Sequence, residues 1–213
     1  MSDGATIYAG EPLRKYLDDA ASNKPAPGGG SVSACVGALG AALVAMVCNL
    51  TLGKEKFADV QAPVRELVAK AEAARARLEA LLQDDTVAYD GVIAAYRLPK
   101  DSEEEQAART AAVQAGLIVA ADVPLEICRV GVQVCRLARM VAELGNPQAV
   151  TDAGIGAVLG EAAVQGGALN VRINLVSITD EEYVRTTTAE LGALLAEASS
   201  LRAEVLAITL AKL

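Results

Sequence analysis

The residue in this sequence best placed to do chemistry is a carboxylate that a helix should turn toward its buried side. Residues 61–97 repeat apolar side chains at the seven-residue spacing of a packed helix. The two rows that should face the core contain Val64, Ala71, Leu78, Asp85, Val92, Leu67, Ala74, Leu81, Ala88 and Ala95. Asp85 is therefore predicted to point inward, whereas Asp84 belongs to a row that should face water.

Burying a carboxylate is costly unless it is hydrogen-bonded or faces a cavity. Two interpretations of Asp85 follow from this cost. It is either a structural side chain that caps or pairs with a neighbouring helix, or a proton-transfer group with a raised pKa that lines a site.

A turn rich in proline and glycine, residues 25–30 (PAPGGG), comes directly before an uncharged run, 31–52. Gly28, Gly29 and Gly30 have no Cβ, so their backbone N–H groups can approach a ligand closely, and Ser31 adds a hydroxyl. Such a helix N-terminus can bind an anion or a dipole. The alternative is that the glycines only make a tight turn.

Acidic and amide side chains recur on one face of a later predicted helix, residues 147–176. At ~100° per residue, one set of side chains lies within about 80°. The set is Asp152, Gly156, Ala163, Gly166, Asn170 and Asn174. Polar groups near both ends, with small residues between them, indicate a shallow groove. The alternative is a small-residue surface for close helix packing, with the asparagines bonding across it.

Composition and charge narrow the possible chemistry. The chain contains no histidine, which excludes Ser-His and Cys-His nucleophiles and nearly all zinc sites. Acid–base chemistry must come from Asp, Glu, Lys, Tyr or Cys. The net charge of −8, without a basic patch, argues against a nucleic-acid partner. An anionic ligand would need local positive charge, for which Lys54, Lys56 and Lys100 are candidates.

The cysteines and the N-terminal residues indicate the cellular compartment of the protein. Cys35, Cys48, Cys128 and Cys135 form no C-x-x-C pair and lie in apolar helical stretches, as buried thiols do in a reducing compartment. No signal peptide is visible, so we expect a cytoplasmic protein. The strictly apolar part of the uncharged run, 34–48, is shorter than a membrane span needs, so we expect a core helix and no membrane partner.

Helical signals account for nearly the whole chain. Helices are predicted at 11–23, 31–52, 61–97, 102–144, 147–176 and 180–212, and no strand signal occurs. The first of them is amphipathic, with an apolar face of Leu13, Tyr16 and Leu17. Capping boxes at Ser102 and Thr179 mark two helix starts, Asn146 suits an N-cap before Pro147, and Pro124 should kink or divide the fourth helix. We predict an all-α, single-domain multi-helix bundle over residues 1–213, with a buried Ala/Gly-rich central helix.

A series of short motifs occurs in a set order along the chain. They are PAPGGGSVSA (25–34), Asp85-x-x-Ala88-Tyr89, YRLPK (96–100), DVPL (122–125), Gly145-Asn146 with Asp152, and ALNVxxN (168–174). This set resembles the cyclodeaminase/cyclohydrolase family, the all-helical folate module that also forms the C-terminal half of formiminotransferase-cyclodeaminase. Segments 46–51 and 128–130, with the stand-alone length, look closest to the family branch that hydrolyses methenyltetrahydrofolate.

The resemblance implies chemistry at the N5–C–N10 bridge of a tetrahydrofolate substrate, with no metal and no other cofactor. It places the family's catalytic carboxylate on Asp85. The expected reaction is hydrolysis of 5,10-methenyltetrahydrofolate to 10-formyltetrahydrofolate, with Asp85 as general acid/base. The alternatives are release of ammonia from 5-formiminotetrahydrofolate, folate binding without turnover, and a scaffold that acts through protein contacts alone.

The resemblance also implies roles for the other polar residues. The turn formed by Gly28, Gly29, Gly30 and Ser31 is expected to hold a polar part of folate, and Lys100, Lys54 or Lys56 to meet the glutamate tail. The residues expected to bond the pterin or the bridge are Asn49, Asn146, Asp152, Asn170 and Asn174. The resemblance implies a homodimer as well. The sequence is compatible with one, because a helix rich in small residues packs well against a copy of itself, but the same feature also serves packing within one chain.

Overall fold

The computed structural model of the protein describes residues 7–213, and within that range it consists of helices and their connections, with no strand. The α-helices are α1 (Leu13–Ala20), α2 (Gly29–Asn49), α3 (Gln61–Tyr96), α4 (Glu103–Leu144), α5 (Val150–Leu175) and α6 (Glu181–Ala211). Short 3₁₀ segments precede α1, α3 and α5. The all-α prediction is confirmed.

Helix α2 is central because its small residues let neighbouring backbones approach it closely. A Cβ on Gly40 would lie 3.0 Å from the carbonyl oxygen of Gly156 in α5, and a Cβ on Gly156 would lie 3.2 Å from that of Gly40. By length and composition α2 and α4 could each span a membrane, yet 61% of the apolar window of α2 is buried inside the protein. The expected central helix is present and begins two residues earlier than predicted, at Gly29.

Helix α3 follows the predicted heptad rows. Every apolar member of the two inward rows is buried. Asp85 is part-buried and hydrogen-bonded to α2, whereas the Asp84 side chain is 48% exposed and pairs with Arg77. The seven-residue periodicity therefore sorted the two adjacent aspartates correctly.

Helix boundaries match the capping signals with one shift. Ser102 forms the predicted capping box with Glu105 at the start of α4. Asn146 caps the 3₁₀ turn before α5 by accepting from the N–H of Gln148. The N-cap of α6 is Asp180 rather than Thr179, because Asp180 accepts from the N–H of Tyr183 while Thr179 is hydrogen-bonded to Gln114.

Two expectations about packing differ from the structure. Helix α4 continues through Pro124 as one helix from Glu103 to Leu144, so the proline does not divide it. In α1 only Tyr16 of the predicted apolar face is buried, while Leu13 and Leu17 are 68% and 57% exposed. The short helix α1 contacts the remainder through Tyr16 and Asp19, and its leucines extend outward.

Candidate active site

Asp85 meets the first turn of α2. The backbone N–H of Ser31 donates to Oδ2 of Asp85 at 2.9 Å, which leaves Oδ1 for a ligand. Gly30 makes this contact possible, since a Cβ there would overlap the carboxylate, with Oδ2 at 2.8 Å and Oδ1 closer still. Within residues 7–213 no acceptor is bonded to the N–H groups of Gly29 and Gly30. The glycine turn therefore brings a carboxylate against free backbone donors.

The environment of Asp85 favours its protonated form more than water does. Burial raises the pKa of this carboxyl above its usual range, and the hydrogen bond from Ser31 opposes that rise only in part. A carboxyl with this balance can accept a proton from water and return it within one reaction cycle.

Asp85 lies on the wall of a cleft of about 350 Å³. The walls come from the turn before α2, from α3, and from one side of α4 and α5. The lining residues are Pro25, Ala26, Gly28, Gly29, Asp85, Thr86, Ala88, Tyr89, Val92, Ala120, Asn170, Ile173 and Asn174. None of these carries a positive charge, and Asp85 is the only carboxylate among them, so the cleft suits a flat, partly apolar and cationic ligand.

The side-chain nitrogens of the two cleft asparagines donate to backbone carbonyls, and their side-chain oxygens have no partner among residues 7–213. Asn170 donates from Nδ2 to the Gly166 carbonyl at 2.9 Å. Asn174 donates from Nδ2 to the carbonyls of Ala120 at 2.8 Å and Asn170 at 2.9 Å. Since a carbonyl can only accept, each amide orientation is fixed and each Oδ1 remains an acceptor.

Thr86 is a cleft residue that sequence reasoning missed. Its hydroxyl has no hydrogen-bond partner among residues 7–213, although the residue is only 7% exposed. Thr209 in α6 donates to the carbonyl four residues earlier, and so does Thr51 in the turn after α2. A buried unpaired hydroxyl costs stability, so a ligand partner would explain it. Its only sequence signal is its position directly after Asp85.

Behind the glycine turn, tyrosines and a paired aspartate hold its position. The Tyr16 hydroxyl lies 3.1 Å from Ser31 Oγ, and burial raises the pKa of Tyr16 to about 12, so this phenol stays neutral. Asp19 pairs with Lys15 at 2.8 Å and Lys24 at 2.5 Å, and these cations lower its pKa to about 2. No pattern in the sequence indicates this support.

The other predicted ligand residues lie away from the cleft. Asn49 is exposed at the C-terminal end of α2, ~30 Å along the helix from Gly29. Asn146 is buried beside it, where it donates to Thr51 Oγ1 and to the Leu50 carbonyl. Within one chain neither residue shares a site with Asp85, because Asn146 ties the end of α2 to the start of α5 and Asn49 is exposed at the far end of α2.

The predicted groove along α5 is also wrong as a continuous site. Asp152 lies ~27 Å along the axis from Asn170, although both share one face. Gly156 and Ala163 between them are buried against α2, so the small residues serve close helix packing. Lys100 is exposed in the connection after α3 and does not line the cleft, and Lys54 and Lys56 follow the far end of α2.

Within residues 7–213, no group of three or more His, Cys, Asp or Glu side chains could hold a metal ion. The four cysteines are free, and three of them are buried. A reaction that needs no metal or other cofactor remains a prediction from the resemblance, and the groups able to act on a ligand here are Asp85, Thr86, the two amides and the free N–H groups of α2.

Comparisons with known proteins identify the family of this chain. A family model described as Formiminotransferase-cyclodeaminase matches residues 12–193. The chain is 44% identical to a methenyltetrahydrofolate cyclohydrolase of Methylorubrum extorquens over 92% of this chain and 94% of that one. It is 37% identical to the formimidoyltransferase-cyclodeaminase of Rattus norvegicus, over 91% of this chain but only 36% of that longer protein.

A solved structure shows the same arrangement of helices. The crystal structure of a formiminotetrahydrofolate cyclodeaminase from Thermotoga maritima superposes with a TM-score of 0.86 at 32% identity, covering 95% of this chain and 97% of the other. Sequence, family model and fold therefore agree over almost the whole length, and the chain belongs to the formiminotransferase-cyclodeaminase family of enzymes.

Proposed function

We propose that the protein hydrolyses 5,10-methenyltetrahydrofolate to 10-formyltetrahydrofolate in the Asp85 cleft. The observation that carries this proposal is one part-buried carboxylate, with a free oxygen and a raised pKa, in a cleft lined by no cationic side chain. The relative from M. extorquens, which matches over nearly its full length, bears the name of this activity.

The bridging carbon of the substrate is part of an amidinium cation, so water needs only a well-placed base within ~3 Å. Asp85 takes one proton from water as the oxygen bonds to that carbon, which gives a neutral tetrahedral intermediate. The protonated Asp85 then gives its proton to N5 as the bond between carbon and N5 breaks. The hydroxyl proton leaves to solvent, and the formyl group remains on N10.

Electrostatics support a cationic substrate. Asp85 Oδ1 and the Oδ1 atoms of Asn170 and Asn174 are acceptors around the cleft, and no lysine or arginine lines it. Fixed oxygen dipoles aimed at a ligand stabilise positive charge on it. The free N–H groups of Gly29 and Gly30 are suited to donate to a carbonyl oxygen of folate, in line with the prediction made from the glycine turn.

A second candidate is the cyclodeaminase reaction, in which N10 attacks the formimino carbon and ammonia leaves. It is favoured by the rat relative and by the T. maritima structure, which both bear that name. Asp85 could serve either reaction, because each needs one group that accepts and returns a proton next to the bridge.

A paired assay separates the two. One reaction holds methenyltetrahydrofolate and is followed by loss of its near-ultraviolet band above the spontaneous rate. The other holds 5-formiminotetrahydrofolate and is followed by growth of that band and of ammonia. Loss in the first reaction alone is the expected result. Ammonia and band growth in the second would assign the cyclodeaminase reaction, and tight folate binding without turnover in either would make the protein a folate binder.

The raised pKa of Asp85 predicts opposite pH dependences for activity and stability. Activity needs the ionised carboxylate, so kcat/KM should rise with pH through a midpoint above the usual range of an aspartate. The folded state binds this proton more tightly than the unfolded state, so the Asp85 contribution to unfolding free energy falls as pH rises between the two pKa values. A pH–rate profile and urea titrations at several pH values measure both trends.

Replacing Thr86 by Val should weaken substrate binding without weakening the fold. The variant keeps the shape but removes a buried hydroxyl that has no protein partner, so the urea midpoint should stay or rise. KM should rise roughly three- to tenfold if the hydroxyl bonds folate. Thr86→Ser is the matched control and should keep a KM close to that of the wild type. Equal KM values in all three proteins would remove Thr86 from the site.

We also propose that the chain acts as a homodimer in the cytoplasm. On α2, Val32, Leu39 and Met46 recur at seven-residue spacing and are 38%, 55% and 39% exposed, a row suited to packing against a second copy. Leu39→Glu should shift the protein to monomer in sedimentation equilibrium, whereas a wild-type protein that sediments as a monomer would contradict the dimer. A cytoplasmic location fits the four free cysteines.

A further inference from the structure

Pro124 lies in the interior of α4 and leaves one carbonyl of that helix without its normal partner. In an α-helix the N–H of each residue donates to the carbonyl four residues earlier. Proline has no N–H, and its ring pushes that carbonyl away. The carbonyl of Ala120 is therefore the one left unpaired by Pro124, and Ala120 lines the cleft.

Asn174 of α5 supplies the missing donor. Its Nδ2 lies 2.8 Å from the Ala120 carbonyl and 2.9 Å from the Asn170 carbonyl, so both amide hydrogens are engaged. The helices are in direct contact here, since a Cβ on Gly167 would lie 2.9 Å from the carbonyl oxygen of Pro124. An amide with both hydrogens bound cannot rotate by half a turn without losing two hydrogen bonds.

We propose that Pro124 is a positioning residue: by leaving the Ala120 carbonyl unpaired, it fixes the Asn174 amide so that Oδ1 faces the cleft and accepts from an N–H of the pterin ring. This inference rests on the proposed function, because it takes a reduced folate as the ligand. Pro124 touches no substrate and acts only through Asn174.

A purely structural role for Asn174 predicts something different. In that case the amide only satisfies the Ala120 carbonyl, and its oxygen makes no contact with substrate. Supplying the carbonyl with a backbone N–H would then change stability alone. Steady-state kinetics distinguish the two roles. A positioning role predicts a higher KM with nearly the same kcat, whereas a structural role leaves both unchanged.

The test is Pro124→Ala in the full-length protein. The alanine N–H competes for the Ala120 carbonyl, so the Asn174 amide keeps only its hydrogen bond to the Asn170 carbonyl, and its oxygen is held less firmly toward the cleft. KM for methenyltetrahydrofolate should rise by about tenfold, the equivalent of one hydrogen bond to a charged or polar ligand, while kcat changes by less than about threefold. Val123→Ala, next to the proline and outside the cleft, is the control and should keep the wild-type KM.

Urea unfolding tests the coupling between Pro124 and Asn174 without folate. Asn174→Ala should lower the urea midpoint in the wild-type background, because it leaves the Ala120 carbonyl unpaired, and should lower it less in the Pro124→Ala background. Equal shifts in both backgrounds would overturn the inference. A Pro124→Ala protein that does not fold would overturn it too, since the alanine N–H must be able to replace the amide.

The outcomes keep this inference separate from the proposed function. A wild-type enzyme that hydrolyses methenyltetrahydrofolate, with a Pro124→Ala variant of unchanged KM, would refute the positioning role and leave the reaction intact. A wild-type protein without that activity would refute the reaction, and the positioning of an acceptor for pterin would fall with it, whatever the coupling between positions 124 and 174.

Discussion

Replacing Asp85 by Asn should reduce the turnover of methenyltetrahydrofolate by about 10²–10⁴-fold while the protein stays folded. The amide oxygen can still accept the hydrogen bond from the Ser31 N–H, but the side chain can no longer take a proton from water. Since the pKa of Asp85 is raised by burial, the ionised carboxylate opposes folding at neutral pH, and the variant should unfold at a higher urea concentration. Initial rates and urea titrations measure the two effects.

Asp84→Asn is the matched control for that substitution. Asp84 differs from Asp85 by one position, its side chain is 48% exposed, and its partner is Arg77 outside the cleft. This variant should keep the wild-type rate. A fully active Asp85→Asn enzyme, or equal losses in both variants, would contradict the role given to Asp85.

Gly30→Ala should affect both activity and folding, because the added methyl group would occupy the space of the Asp85 carboxylate. Either the carboxylate or the first turn of α2 must move, and the hydrogen bond from Ser31 is lost in both cases. We expect at least a ~10²-fold loss of kcat/KM and a loss of about 1–3 kcal/mol in unfolding free energy. Circular dichroism during urea unfolding and steady-state rates measure these losses.

Two comparisons make the Gly30 result specific. Gly192→Ala in α6 meets nothing within 4 Å and should stabilise the helix by up to ~1 kcal/mol. In an Asp85→Ala background, Gly30→Ala should cost much less stability, since the overlapping carboxylate is gone. An undiminished cost there would place the strain elsewhere than between these two residues.

Periodicity predicted much of this molecule because the angle around a helix decides which side chains are buried. The rows of α3 separated Asp85 from Asp84, and the small-residue composition of α2 predicted its central place. Caps at Ser102 and Asn146 were readable because the bonds that make them are local in sequence. Asp85 could be singled out because its angle around α3 places it in a row of buried apolar residues.

The predictions failed where position along the helix axis or a distant partner decides the result. Asp152 and Asn170 share a face of α5, but the rise per residue separates them by ~27 Å, which an angular argument does not detect. Pro124 was expected to kink or divide α4. The helix is not divided, and Asn174, fifty residues later, satisfies the carbonyl that the proline leaves open. No local sequence pattern predicts a hydrogen-bond partner that lies so far along the chain.

The most direct test of the central claim is a crystal structure of the Asp85→Asn variant with methenyltetrahydrofolate, which an inactive enzyme should leave intact. We predict the bridging carbon within ~4 Å of the side chain at position 85, the pterin ring against Asn170 and Asn174, and the Thr86 hydroxyl bonded to the ligand. Folate bound elsewhere, such as the cavity lined by Tyr8, Leu13 and Leu39, would contradict the assignment of this cleft as the active site.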